Sequence, residues 1–315
     1  MRALITGING FVGGHLAEHL LHHGDWSVWG IARQPELTLP ALREAVTLIV
    51  ADLDSTDQVE NVLRSVQPDV IFHLAAQSNV PRSFNDPRQT LHTNLDGQLN
   101  LFQALLRLQQ NPLILIVGSN EIYGQVRPED LPIDEQTPLR PVNPYAVSKA
   151  AQDLLAFQFH TSHALRTVRL RPFNHIGPRQ SDAFVASAFA AQIARIERGA
   201  QEPVIRVGNL AAERDFTDVR DIARAYALAA TNGRVGMAYN IGSERAVSVR
   251  WMLDTLLAHS TATIAVATDS TRMRPADVPR VIANCSLFRD HTGWQPQIPL
   301  EQTLLDILNH WRIQQ

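Results

Sequence analysis

The chain has 315 residues, 45% of them hydrophobic and 19% charged, with a net charge of -3 at pH 7. That length fits one large α/β unit or a main domain with a smaller companion, and the balance is that of a globular protein with a buried core. There is no basic tract to track a phosphate backbone and no apolar run near the ~18 residues that span a bilayer, so the composition argues against nucleic acid and membrane as partners.

The first apolar stretch, Arg2–Thr6, stops at a glycine, so it reads as a core strand and not as a signal peptide. Phe11–His22 has helical spacing, and Trp26–Ala32 and Val46–Val50 are strand-like. Val59–Val66 is helical, Asp69–Ala75 is an almost wholly apolar strand, and Thr93–Leu108 is a helix. Leu113–Val117 and Thr167–Leu170 are strands on either side of a helix over Tyr145–His160. Strands that are apolar throughout, separated by helices, predict a parallel sheet buried on both faces, and the doubly wound Rossmann sheet has that rhythm. After Arg171 the rhythm breaks into a loop-rich stretch, followed by helices over Phe184–Glu197 and Asp218–Ala230, a strand over Ala238–Ile241 and a final helix over Leu300–Arg312. The expected division is an α/β Rossmann domain over 1–170, to which the chain returns at about 212–242, and a smaller, mixed domain over 171–211 and 243–315. The single cysteine, Cys285, cannot staple the fold or hold zinc alone, and it fits a reducing, cytoplasmic setting. The 12 histidines are scattered, and no metal-ligand spacing is present.

The first strand runs into TGINGFVG, with Gly7, Gly10 and Gly13 in a GxxGxxG pattern. A glycine turn between strand and helix lets backbone N–H groups approach a dinucleotide pyrophosphate at the positive end of the helix. Enzymes that prefer NAD place an acid after the second strand, on the ribose 2′-hydroxyl. Here that position reads Ala32-Arg33. The missing acid and the cation point to the 2′-phosphate of NADP(H), unless Arg33 is a plain surface arginine. Asp52 and Leu53 are placed to meet the adenine end, and Ala75, Ala76 and Gln77 to line the pyrophosphate and nicotinamide.

PYAVSK puts Tyr145 and Lys149 at i and i+4 on one helix face, with Asn143 able to cap the helix and Pro144 suited to its first turn. An ammonium beside a phenol stabilises the phenolate, so the Tyr145 pKa is expected to fall toward neutrality. Ser119, in GSNEIYG after the fifth strand, can bond the same substrate oxygen. Glu121 is either an acid/base near the sugar or a solvated loop residue. Taken alone, a YxxxK pair is a helix-surface pair; the glycine loop ahead of it is what makes it a candidate centre.

TGINGFVG, HLAAQS, GSNEIYG, PYAVSK, RPFNHIGPRQ, RDFTDVRD and RMRPADVP occur in the order found in the extended short-chain dehydrogenase/reductase superfamily, which the chain resembles over essentially its whole length. AAQSNVPRSFNDP and FNHIGPRQ are similar to the branch that handles GDP-linked 6-deoxyhexoses. The resemblance extends the expected cofactor contacts to Asn9, Phe11, Val12, Leu74, Asn94, Arg171 and Pro172. It implies a nucleotide-sugar-binding role for the second domain, with Ser78, Asn120 and Asn174 near the substrate, and Gly208 and Asn209 near the guanosine. Arg214 and Arg274 would bind the two phosphates, and Asp277 the ribose. Asn120 departs from the serine or threonine more usual there. The implied activity is NADPH-dependent reduction of the C4 ketone of GDP-4-keto-6-deoxy-D-mannose to GDP-D-rhamnose, by a homodimer paired through its fourth-strand and Tyr145 helices. A dehydratase or epimerase on the same scaffold is the alternative, and a non-catalytic NADP(H)-sensing protein the alternative of another class.

Overall fold

The computed structural model describes residues 1–269 and 278–314. The first half alternates strand and helix: β1 (Arg2–Thr6), α1 (Phe11–His22), β2 (Ser27–Ala32), β3 (Val46–Val50), α2 (Thr56–Val66) and β4 (Val70–His73). It continues through α3 (Val80–Asn85), α4 (Pro87–Leu108), β5 (Leu113–Val117), α5 (Pro144–His163) and β6 (Arg166–Pro172). The second half holds β7 (Asn174–Ile176), α6 (Val185–Glu197), β8 (Val204–Val207), β9 (Glu213–Asp218), α7 (Val219–Asn232) and β10 (Ala238–Ile241). β11 (Ala246–Ser248), α8 (Val249–Ala258), β12 (Ala265–Thr268), β13 (Arg280–Val281), α9 (Ser286–Thr292) and α10 (Leu300–Gln314) complete it.

Seven strands form one parallel sheet in the order β10-β6-β5-β4-β1-β2-β3. Its strands are apolar throughout because successive side chains enter two different cores. Ala3, Ile5, Val70 and Phe72 pack with Leu16, Ala17 and Leu20 of α1 and Ile222 and Tyr226 of α7. Leu4, Ile71 and Ile114 pack on the other face with Leu63 of α2, Phe102 of α4 and Ala156 of α5. This is the doubly wound sheet expected, with its change of direction between β1 and β4, where ligands bind in such folds.

Several boundaries differ from the sequence reading. The strand predicted over Asp69–Ala75 is four residues, Val70–His73. Asp69 instead accepts the Arg2 amide at 2.7 Å, and Ala75 leaves the ladder to donate to Thr6 Oγ1 at 3.1 Å. Helix α4 starts at Pro87 and not Thr93, because Asp86 caps it through the Gln89 amide and proline suits the first turn. The return of the chain is also narrower than 212–242. Strand β9 joins β7, β11 and β13 in a separate small sheet, so only α7 and β10 rejoin the main body. The second lobe has its own core, in which α6, α8 and α10 cover β8 and β9.

Candidate active site

At the carboxyl end of β1, Gly7 takes φ +74°, a left-handed value that glycine adopts without strain. A side chain at Gly13 would place its Cβ 2.4 Å from the Gly7 carbonyl oxygen, so the turn closes only with glycine there. Gly10 caps α1 without a side chain, which leaves the first-turn amides uncovered for an anion. Asn9 fastens the neighbouring loop, donating to the Glu36 carbonyl at 2.9 Å and accepting from the Thr38 amide at 3.0 Å. The loop thus forms a cradle of the shape and polarity that a dinucleotide pyrophosphate fits. Phe11, at the head of α1, stacks on His175 with ring centroids 6.2 Å apart, and Val12 is half-buried beside it.

The other predicted cofactor residues lie along the same sheet edge. Arg33 is exposed at the end of β2, and Asp52 and Leu53 follow β3. Leu74, Ala75 and Ala76 are half-buried after β4, and Ser78 is exposed. Asn94 is fully buried, and its amide bridges two elements: Oδ1 accepts from the Gln77 amide at 2.7 Å and Nδ2 donates to Ser148 at 2.8 Å. It therefore holds the Ala76-Gln77 turn against α5.

Ser119 opens a short 3-10 turn, Asn120–Tyr123, and its hydroxyl accepts from the Glu121 amide at 3.2 Å. Asn143 caps α5 by accepting from the Ala146 amide, as its position predicts, and its Nδ2 donates to Glu121 Oε2 at 3.0 Å. Glu121 is thereby tied to the helix that carries Tyr145. The Tyr145 phenol is buried, and Ser119 is near enough to act on its ionisation. Lys149 is also buried, and its ammonium donates to the Val117 carbonyl at 2.8 Å.

The electrostatics correct one expectation. Burial pushes the Tyr145 phenol up to about 12; the Ser119 bond opposes this and the Glu121 charge adds to it. The same burial pulls the Lys149 ammonium down to about 7. Burial favours the neutral phenol, so the phenol of the protein by itself is a proton donor at neutral pH.

The guanidinium of Arg171 is buried against Asp153, Tyr123 and the Glu135 carbonyl. Pro172 beside it closes β6. Asn174 opens β7, and its side-chain oxygen is buried without a hydrogen-bond partner among the described residues, an acceptor able to take a donor. β7 pairs with β9, which puts Arg214 on the neighbouring strand. Arg214 donates to the Glu213 carbonyl at 2.8 Å. Gly208 and Asn209 follow β8, where Asn209 accepts the Ala211 amide at 2.9 Å. Arg274 and Asp277 lie outside the described residues. Sequence reasoning missed the Asn143–Glu121 link and the Arg171 cluster, whose partners are far apart along the chain.

The family model described as GDP-mannose 4,6 dehydratase matches residues 4–307. A GDP-6-deoxy-D-mannose reductase of Pseudomonas aeruginosa is 37% identical, over 98% of this chain and 97% of its own length. A GDP-mannose 4,6-dehydratase of Vibrio cholerae is 28% identical, over 97% of this chain and 92% of its own. Among solved structures, RMD from Pseudomonas aeruginosa complexed with NADPH superposes with a TM-score of 0.89 at 36% identity, covering 100% of this chain and 99% of that one. The UDP-glucose 4-epimerase of Thermus thermophilus, in complex with NAD, gives a TM-score of 0.86 at 29% identity, covering 99% of each chain.

Proposed function

The chain belongs to the GDP-mannose 4,6-dehydratase family, and from that premise we propose that it is an NADPH-dependent reductase of the C4 ketone of GDP-4-keto-6-deoxy-D-mannose, forming GDP-D-rhamnose. One observation carries the chemistry: Ser119, Tyr145 and Lys149 are all buried, with Ser119 following β5 and the Lys149 ammonium bonded to the Val117 carbonyl at the end of that strand. Reduction of a ketone needs a proton given to its oxygen, and Tyr145 is in the state to give it. NADPH, when bound, supplies the hydride that adds to C4. Ser119 holds the carbonyl oxygen, Tyr145 protonates it as it becomes the alcohol, and Lys149 supplies positive charge to the phenolate left behind. The choice of a GDP-linked substrate rests on the full-length likeness to the Pseudomonas reductase.

In this reading the main sheet holds the dinucleotide through Gly7, Gly10 and Gly13, with Arg33 on the 2′-phosphate. The second lobe holds the nucleotide sugar through Asn174, Gly208, Asn209 and Arg214, together with Arg274 and Asp277. Two copies pair through α4 and α5. A second reading, dehydration of GDP-mannose, is favoured by one feature: Glu121 is tied to the Tyr145 helix by Asn143, where an added acid/base would act.

The test is stoichiometric. The purified protein should oxidise one NADPH per 4-keto-6-deoxy sugar and leave GDP-mannose untouched. Tyr145→Phe should lose turnover and still bind NADPH, while Glu121→Gln should keep much of the rate. Release of a 4-keto product from GDP-mannose without net NADPH use would establish dehydration in place of reduction.

A further inference from the structure

Arg171 is the penultimate residue of β6, with 5% of its surface exposed. Its Nε donates to Asp153 Oδ2 and its Nη2 to Asp153 Oδ1, both at 2.9 Å, a two-pronged ion pair. Its Nη1 donates at 3.0 Å to the Tyr123 hydroxyl, and its guanidinium carbon lies 5.6 Å from the Tyr123 ring centre. The Tyr123 hydroxyl in turn donates to Asn240 Oδ1 at 2.7 Å. The Asn240 amide donates to Glu135 Oε1 at 2.7 Å. A buried arginine loses hydration, yet Asp153 holds it charged.

The places of these partners in the fold give the cluster its meaning. Tyr145, Lys149 and Asp153 succeed one another at four-residue steps, so they share one face of α5. Tyr123 ends the 3-10 turn that begins after Ser119 and contains Glu121. One guanidinium therefore grips both carriers of the reacting groups: the helix bearing Tyr145 and Lys149, and the turn bearing Ser119 and Glu121.

We propose that Arg171, through Asp153 and Tyr123, is a positioning residue that sets the separation of Ser119 and Tyr145, so that both hydroxyls meet one substrate oxygen. The inference rests on the assignment of Ser119 and Tyr145 as the reacting pair. A misplacement of about 1 Å between such groups lowers a rate on the order of a hundredfold. Loosening the cluster is therefore felt in the chemical step before it is felt in binding.

Tyr123→Phe removes only the hydroxyl between Arg171 and Asn240. It should lower kcat about tenfold or more, with KM and the NADPH dissociation constant within about twofold of wild type. Tyr239→Phe is the matched control. Tyr239 is equally buried on β10, but its hydroxyl bonds the Arg234 amide and His291, away from both carriers. It should lower the melting temperature and leave kcat unchanged. If Tyr123→Phe is too unstable to purify, Asn240→Ser frees the same hydroxyl and carries the same expectation. Wild-type kcat in the Tyr123 or Asn240 variant, or an equal loss of kcat in the Tyr239 control, overturns the proposal. Tyr145→Phe run alongside separates the two ideas. If Tyr145→Phe is inactive and Tyr123→Phe is unimpaired, the positioning role alone fails. If Tyr145→Phe turns over normally, the site assignment itself fails.

Discussion

At the single-residue scale, the proposed determinants of the dinucleotide are Ala32 and Arg33. Ala32 ends β2 opposite Val50, and Arg33 extends from it into solvent. A carboxylate at position 32 would bond the 2′-hydroxyl of NAD and repel a 2′-phosphate, whereas Arg33 offers that phosphate charge-assisted hydrogen bonds. NADPH is expected to bind roughly ten- to a hundredfold more tightly than NADH, the equivalent of about 1.5–3 kcal/mol for such contacts. Ala32→Asp should reverse the order. Fluorescence titration of both dinucleotides checks this, and equal affinities in the wild type would remove the assignment. The glycine loop, Ser119, Tyr145 and Lys149 were legible as candidates because each is a local signal: a spacing, or a place after a strand. The ionisation of Tyr145 was not. Its direction depends on how completely other elements bury the phenol, and the four-residue spacing to Lys149 carries no information on that.

At the scale of elements, α5 has two working faces. The inner face carries Tyr145, Lys149 and Asp153. The outer one exposes Val147 by 43%, Leu154 by 57% and Phe157 by 49%. Leu154 lies two turns beyond Val147, so these residues make a stripe along the helix and not a scatter, which is the form of an interface. Light scattering at micromolar concentration should give twice the chain mass for the wild type. The double variant Leu154→Lys, Phe157→Lys should give a single chain mass, since two charges would be buried in the seam. A wild-type monomer would dispose of the pairing. The sequence placed a helix over Tyr145–His160, which lies within α5. It placed the start of α4 six residues late, because Pro87–His92 carries little apolar periodicity and its helical state depends on the Asp86 cap. β9 looked like part of the returning main body, but its partners are β7, β11 and β13. Pairing of that kind joins residues distant in the chain, and no local pattern reports it.

At the scale of the whole molecule, the cofactor body and the second lobe are clasped by a cluster on α1. His15 meets the Pro178 carbonyl at 3.0 Å through Nε2 and Arg179 at 2.7 Å through Nδ1, and Arg179 also forms a two-pronged pair with Glu18. These contacts suit a neutral imidazole that donates from Nε2 and accepts at Nδ1. Burial, with the nearby Arg179 charge, lowers the His15 pKa to about 4, against the pull of Glu18 and Asp218. Burial, with the Lys149 charge, lowers that of His73 to about 3. The unfolded chain takes up a proton on each near pH 6.5. Between those values the unfolded state binds more protons than the folded state, so stability falls as pH falls. Urea unfolding midpoints should therefore drop between pH 6.5 and about 4, with His15 contributing about 3 kcal/mol of the loss. His15→Gln should flatten that part of the profile. Midpoints constant over the window would show that both histidines carry their charge in the folded state.

The sequence by itself determined the doubly wound sheet, and it marked the glycine turn after β1, Ser119, Tyr145 and Lys149 as candidates, because each is written in short-range spacing: apolar runs, glycines at a strand end, residues one helical turn apart. The tertiary structure alone decided how those groups are held and charged. Arg171 binds Asp153 18 residues earlier and Tyr123 48 residues earlier, and Asn143 reaches Glu121 across 22 residues. Whether an arginine meets a cofactor or braces a helix, and whether a phenol keeps its proton, depends on which side chains surround it and how much water they exclude, and both are settled only when distant segments pack.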